Sequence, residues 1–367
     1  MSTITTDLDE ARRDLAAIFR WTAREGMHEG IANHFSYAVS DDGQMFLMNP
    51  FGIHFSKLKA SDMLLVDARH LDDEIRPRID ATAWAIHGAM HRNNPQARCI
   101  VHLHSHYATA LSAVKNPVLP AVDQTTARFH NRVAIDDGFD GMGLGDEAER
   151  LSTLLGNKMM MMMGNHGFMT VADSPALAFD LAYHYERGCR TYLTALASGL
   201  ELSVLDDEVA EKTASQWEAY EGAPEKHSHY ATSLSVVKNP VLPAVDQTTA
   251  RFHNRVVIDD GFDGMGLGDE AERLSTLLGN KMMMMMGNHG FMTVADSPAL
   301  AFDLAYHYER GCRTYLTALA SGLELSVLDD EVAEKTASQW EAYEGAPEKH
   351  LAALRSILDE EEPDYRH

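Results

Sequence analysis

Residues 79–111 read IDATAWAIHGAMHRNNPQARCIVHLHSHYATAL, and a change of period inside them decides the fold. The spacing predicts a helix over Ala81 to Asn93 and an apolar strand over Arg98 to His104. Side chains alternate along a strand, so His102 and His104 share one face. Two imidazoles at that spacing on a rigid element can bind one zinc ion, and catalytic zinc takes three protein ligands and keeps one open position. His166 is the third candidate. It follows an apolar run and lies between Gly164 and Gly167, where backbone can approach an ion closely. The alternative is a surface H-x-H pair and a histidine that merely ends a strand. His87 and His91 share a helix face, but Gly88 stands where the zinc-protease H-E-x-x-H pattern has Glu. They read as helix packing.

Working outward, Asp7 and Glu10 mark a helix start, with Leu8, Leu15, Ile18, Phe19 and Thr22 on one face. HFSYAV and QMFLMNP flank the Asp41-Asp42-Gly43 turn as a hairpin, and MLLVD is a further strand. Met159 to Met163 suits a strand buried on both faces and filled with adaptable side chains. Ser174 to Leu196 and Asp206 to Tyr220 read as helices. Gly138 to Gly145 is a glycine-rich loop, followed by a capping box at Asp146 and Glu149. No nucleophile-elbow or P-loop pattern occurs. Strands mixed with helices predict an α/β class, with helices packed on a sheet.

The chain has 367 residues, 45% of them hydrophobic, so a sizeable core can be buried. Lys and Arg number 31 against 55 Asp and Glu, a net charge of −24. A phosphate backbone or an anionic bilayer repels such a chain, which argues against nucleic-acid and membrane partners. No apolar run approaches the roughly 20 residues of a bilayer span. The opening MSTITTDLDEARRD is acidic where a secretory signal is basic and apolar, so the expected location is cytoplasmic. Cys99, Cys189 and Cys312 form no C-x-x-C pair and read as buried free thiols.

Residues 105–227 recur as 228–350 at an offset of 123, with three changes: Ala110 to Ser233, Ala113 to Val236 and Ala134 to Val257. So long and faithful a copy is a tandem duplication, or an error in assembling the gene sequence, rather than a solenoid repeat. Removing it leaves about 240 residues, an ordinary single-domain length. The expected organisation is a domain over 1–227, a partial duplicate over 228–350 and a solvated acidic tail over 351–367. The second copy lacks the N-terminal 104 residues that complete the first, so two similar segments compete for one complement. Swapping or aggregation is the expected result.

Four stretches together resemble the class II aldolase/adducin family: GIANHFSYAV (30–39), LMNPFGIHFSKLKASDMLLVD (47–67), residues 79–111, and MMGNHGFMTVADSPALAFDLAYHYE (162–186). The resemblance implies a three-layer α/β/α domain around a central, mainly antiparallel sheet, completed by the first copy. It implies homotetramers with sites near subunit interfaces. It further implies zinc held by His102, His104 and His166, with the ion polarising a carbonyl while a C–C bond breaks. In the second copy His289 corresponds to His166, while Glu225 and His227 fall where His102 and His104 would be. No second complete site is expected.

The chain departs from the family pattern in its proton-handling groups. Ala83 occupies the position of the family's general-base Glu, and the acid Tyr falls near Gln124. Loss of a general base removes about 10²–10⁴ in rate. In the phosphate cradle, Ser36 and the turn glycine Gly52 are retained as substrate-binding candidates, but Ala38 replaces the Arg. Asp80, Asp123 and His34 are candidate substitute bases. Two readings follow. One is a zinc-dependent lyase or isomerase acting on a small hydroxy-carbonyl compound, sugar or sugar-phosphate-like. The other is a non-catalytic, adducin-head-like assembly module of cytoskeletal type.

Overall fold

The computed structural model describes residues 3–138, 147–220, 229–264, 270–343 and 345–366. In chain order the elements begin with helix α1 (Leu8–Arg24), strands β1 (His34–Ala38), β2 (Met45–Met48) and β3 (Leu64–Asp67), helix α2 (Ala81–Asn93) and strand β4 (Cys99–Leu103). Helices α3 (His106–Ser112) and α4 (Gln124–Ala127), β5 (Val133–Asp136), α5 (Glu147–Leu155), β6 (Met160–Met163), β7 (Gly167–Ala172), α6 (Pro175–Ala197) and α7 (Asp207–Ala219) complete the first copy. The second copy repeats this as α8 (His229–Ser235), α9 (Gln247–Ala250), β8 (Val256–Asp259), α10 (Glu270–Leu278), β9 (Met283–Met286), β10 (Gly290–Thr293), α11 (Pro298–Ala320) and α12 (Asp330–Glu341). Helix α13 (Ala346–Glu361) follows. The glycine loop beyond Gly138, the cap at Asp146, Glu225 and His227 lie outside the described residues.

The chain forms two compact units whose boundaries do not follow the duplication. The first runs through Leu119 and adds Phe129–Arg190; the second is Pro120–Arg128 with everything from Thr191.

The first unit is built on a seven-stranded sheet of order β3-β2-β1-β4-β7-β6-β5. Every neighbouring pair is antiparallel except β5 with β6, so the mainly antiparallel expectation holds. Alternation along β1 makes the layers. Phe35 stacks on Phe19 of α1 at 4.1 Å, while the next residue, Ser36, turns to the opposite face and meets α2. Below that face, Ile86 and Met90 of α2, Leu151 and Leu155 of α5, and Met161, Met163 and Met169 of the sheet form one core cluster. All four methionines of β6 are buried, as expected of a strand covered on both sides.

The second unit contains a three-stranded sheet of order β10-β9-β8, packed with α8 and α11 around Leu234, Met283, Met285, Leu304 and Tyr308. Strand β7 is buried throughout because β4 lies beside it. Among the described residues β10 has no such neighbour, and Phe291, Met292 and Thr293 are half-exposed. The acidic end, read from sequence as a solvated tail, is helical through Glu361 as part of α13. That helix packs on α11, where the His350 imidazole meets the Asp303 carboxylate at 2.7 Å.

Candidate metal centre

The antiparallel ladders of the first unit bring the histidines together. Strand β4 ends at Leu103, so His102 sits in the sheet and His104 just past its edge, on the same face. The neighbouring ladder places Leu103 opposite Phe168, and His166 lies at the turn that enters β7. One nitrogen from each of His102, His104 and His166 lies within 4.8 Å of the others. The His166 ring centre is 5.0 Å from that of His102 and 4.7 Å from that of His104.

Hydrogen bonds fix how two of these rings face. Nδ1 of His102 donates to the carbonyl oxygen of Phe168 at 3.0 Å, and Nδ1 of His104 meets the Glu29 carboxylate at 2.5 Å. Both Nε2 atoms therefore turn toward each other, 3.0 Å apart. With both rings neutral, two lone pairs face each other there, and a cation between them removes the repulsion. Nitrogens bound to one tetrahedral zinc ion at about 2.05 Å stand roughly 3.3 Å apart, close to what is found. Partners of this kind behind metal-binding imidazoles orient the ring and raise its basicity. Burial holds His102 well below the usual imidazole range, and burial with the neighbouring His104 lowers His166 to about 4. Neutral imidazoles are the form that binds metal, so the donor set fits a divalent ion.

Behind His102 lies a buried polar chain. His34 stacks on His102 at 4.8 Å, and its register partner in β4 is His102 itself. Nδ1 of His34 meets Nε2 of His87 at 2.8 Å, Nδ1 of His87 meets the Ser36 hydroxyl at 2.5 Å, and that hydroxyl meets Nε2 of His91 at 2.7 Å. The chain ends where Nδ1 of His91 faces the carbonyl oxygen of Ala97 at 2.6 Å. A carbonyl only accepts, so His91 carries its hydrogen on Nδ1. Nε2 of His91 then accepts from Ser36, Ser36 accepts from His87 Nδ1–H, and Nε2 of His87 accepts from His34 Nδ1–H. His34 is left with an unprotonated Nε2. Burial lowers His34 and His91 to about 4 and holds His87 well below its ordinary value, so the chain is uncharged.

His34, Asp80, Phe51 and the three clustered histidines line one cavity of about 530 Å³. Asp80 caps α2, accepting from the backbone N–H groups of Thr82 and Ala83 and from the Thr82 hydroxyl. Burial raises its pKa, but those hydrogen bonds outweigh it and leave the carboxyl below its usual range. Asp123 belongs to the second unit, where it caps α4. Ala83 is buried beside His34 and Asp80 and presents only a methyl group. Gly52, at φ +87°, keeps its expected turn, with no atom within 4 Å of where a Cβ would stand. Ser36 departs from its expected place. It is fully buried, its hydroxyl is engaged by two imidazoles, and it is not among the cavity-lining residues. The register of β1 points it at α2, which sequence spacing alone left open.

Sequence reading missed Glu29, which sits in a loop with no motif around it. It also read His87 and His91 as packing without seeing that they complete a polar chain. A second cluster, Asp303, His307 and His350, also gathers possible ligand atoms. There Arg251 holds the other carboxylate oxygen of Asp303 at 2.8 Å, so this group reads as an ion-pair network. His289 lies in the second unit, 6.2 Å from the Phe262 ring.

The model for the class II aldolase and adducin N-terminal domain matches residues 13–193 and again 226–316. The chain belongs to the class II aldolase/adducin family. A Caulobacter vibrioides protein named for aldolase class 2 is 32% identical over 204 residues, covering 55% of this chain and 79% of that one. Adducin-related protein 1 of Caenorhabditis elegans is 29% identical, covering 54% of this chain but 27% of its own length. Among solved structures, L-fuculose 1-phosphate aldolase from Glaciozyma antarctica is 26% identical with a TM-score of 0.51, covering 59% of this chain and 86% of that one. The family membership, the α/β sheet and a lyase-type relationship agree with the sequence reading. Among the described residues no helix is long and apolar enough to cross a membrane.

Proposed function

We propose that the chain is a zinc-dependent lyase or isomerase acting on a small hydroxy-carbonyl compound, with His102, His104 and His166 as the metal ligands. The observation that carries this is the pair of Nε2 atoms at 3.0 Å, each turned inward by a partner on its Nδ1. A zinc ion supplies polarisation of the substrate carbonyl and stabilises the negative charge that develops beside it.

The remaining work falls to the protein. With Ala83 in place of an acid, His34 is the group best suited to accept a proton, at its Nε2. The chain through His87, Ser36 and His91 holds that tautomer, so His34 presents a lone pair to the cavity without rearrangement. Asp80 is the weaker base, since its hydrogen bonds favour the ionised form. Phe51 lines the cavity, and the space beside the Gly52 backbone is open to a substrate oxygen. The inward-turned Ser36 and the Ala38 position favour an unphosphorylated sugar-like substrate. The proposal includes a cytoplasmic homo-oligomer, a tetramer by family habit.

Retro-aldol and isomerase assays of the zinc-loaded protein over a panel of sugar acids and sugar phosphates test this reading. Turnover lost in His34→Ala with zinc retained supports it. Silence across the panel with zinc bound transfers the assignment to the non-catalytic, adducin-head-like assembly module, which the methyl group of Ala83 and the likeness to an adducin-related protein favour.

A further inference from the structure

Helix α2 begins at the wall of the cavity that holds the three clustered histidines, since Asp80 and Thr82 both line it. The free N–H groups of a helix N-terminus hold an anion well. Here the chain supplies that anion itself. Oδ1 of Asp80 accepts from the Thr82 N–H at 2.9 Å, the Ala83 N–H at 3.0 Å and the Thr82 hydroxyl at 2.5 Å. Burial works against the charge, but these bonds keep the carboxyl ionised at neutral pH.

All three bonds fall on one oxygen. Among the described residues no hydrogen bond or ion pair reaches Oδ2 of Asp80. Among those that line the cavity, Asp80 brings the only carboxylate, and there is no Lys or Arg to balance it. The Thr82 hydroxyl is already engaged by Asp80. Ala32, Phe51, Ile86, Met163 and Met169 make the rest of the wall largely apolar. A substrate that fills this space displaces water from Oδ2, and a carboxylate taken out of water needs a donor in its place. A hydroxyl returns one neutral hydrogen bond. An ammonium group returns a charge-assisted one, about twice as strong. A phosphate meets Oδ2 as a like charge and finds the N–H groups of α2 already occupied.

We propose that Asp80 selects substrates bearing a protonated amine, so that the compound handled in this cavity is an amino-substituted hydroxy-carbonyl compound with its ammonium group on Oδ2. The inference rests on the lyase or isomerase reading above. The apolar wall offers few partners to further hydroxyls, so a short carbon skeleton suits it.

Isothermal titration calorimetry of the zinc-loaded chain at pH 7 tests this with three ketones that differ in one substituent: aminohydroxyacetone, dihydroxyacetone and dihydroxyacetone phosphate. The amine is expected to bind about tenfold more tightly than the alcohol, and the phosphate most weakly. Asp80→Asn keeps the helix cap, because Asn caps as well as Asp, but removes the charge. It should abolish the preference for the amine and improve phosphate binding, with zinc per chain and far-UV circular dichroism unchanged. Asp80→Ser, another good cap, should do the same. Tightest binding of the phosphate to the unaltered chain overturns the proposal, as does the absence of saturable amine binding. An amine preference that survives in both variants also overturns it and assigns the amine to the metal. The order is read from binding alone, so a chain that keeps it without any turnover loses the lyase or isomerase reading and keeps the amine site.

Discussion

Gly167 lies against Leu103 so closely that a Cβ on it would stand 2.4 Å from the Leu103 carbonyl oxygen and 2.9 Å from Cδ2 of His104. The first atom is backbone and cannot swing aside. Gly167→Ala is therefore expected to push β7 from β4 and turn the His104 ring, costing about 1–3 kcal/mol. Thermal unfolding checks the stability, and elemental analysis should show zinc falling well below that of the unaltered chain.

Zinc should bind at one equivalent per chain despite the duplication. His102→Ala is expected to lose it, and His350→Ala to keep it, since Arg251 already holds the Asp303 carboxylate. Elemental analysis on protein whose intact mass shows both copies decides this; loss of zinc in His350→Ala would move the metal to the second unit.

His34→Ala should lower kcat about 10²–10⁴-fold while zinc stoichiometry stays at one. His34→Gln should not recover it, because an amide does not accept the proton. An unchanged kcat would leave Asp80 as the remaining proton acceptor in the cavity.

Ser36→Ala strands the Nδ1–H of His87 and the Nε2 of His91 in a buried site. Two unsatisfied groups should cost about 2–4 kcal/mol, read from the urea midpoint at pH 7.5.

The imidazole of His91 titrates near 4 in the folded chain and near 6.5 when unfolded, because burial disfavours its charge. The unfolded chain binds the proton first as pH falls. Stability is thus complete above about pH 6.5 and declines toward pH 4, by about 3 kcal/mol from this group alone. His87 acts in the same direction. Urea unfolding at pH 7.5, 6 and 4.5 should show the decline, and a flat profile would contradict a neutral chain.

Where one residue's chemistry or periodicity was enough, the sequence was legible. The predicted helix over Ala81 to Asn93 is α2 to the residue, the methionine run is a strand covered on both sides, and the H-x-H pair converges with His166. What escaped depends on which strands become neighbours. Ser36 looked like a substrate contact because it stands at the serine position of the resembled cradle pattern, but only its contacts with His87 and His91 show it facing α2. Glu29 reaches His104 across 75 residues of chain, a distance no spacing encodes. The boundary between the compact units also ignores the copy boundary, because residues 120–128 pack with elements that follow them far downstream.

The pairing of β4 with β7, rather than with its twin β10, has a consequence for how the protein is made. Strand β7 leaves the ribosome 123 residues before β10. At 5–20 residues per second that is a lead of roughly 6 to 25 s. The N-terminal strands meet their first match well before the rival exists, so order of synthesis favours the same pairing as the shorter loop does. A chain unfolded in denaturant and refolded at full length starts without that lead, and β7 then keeps over its twin only the small entropic advantage of a shorter loop to β4.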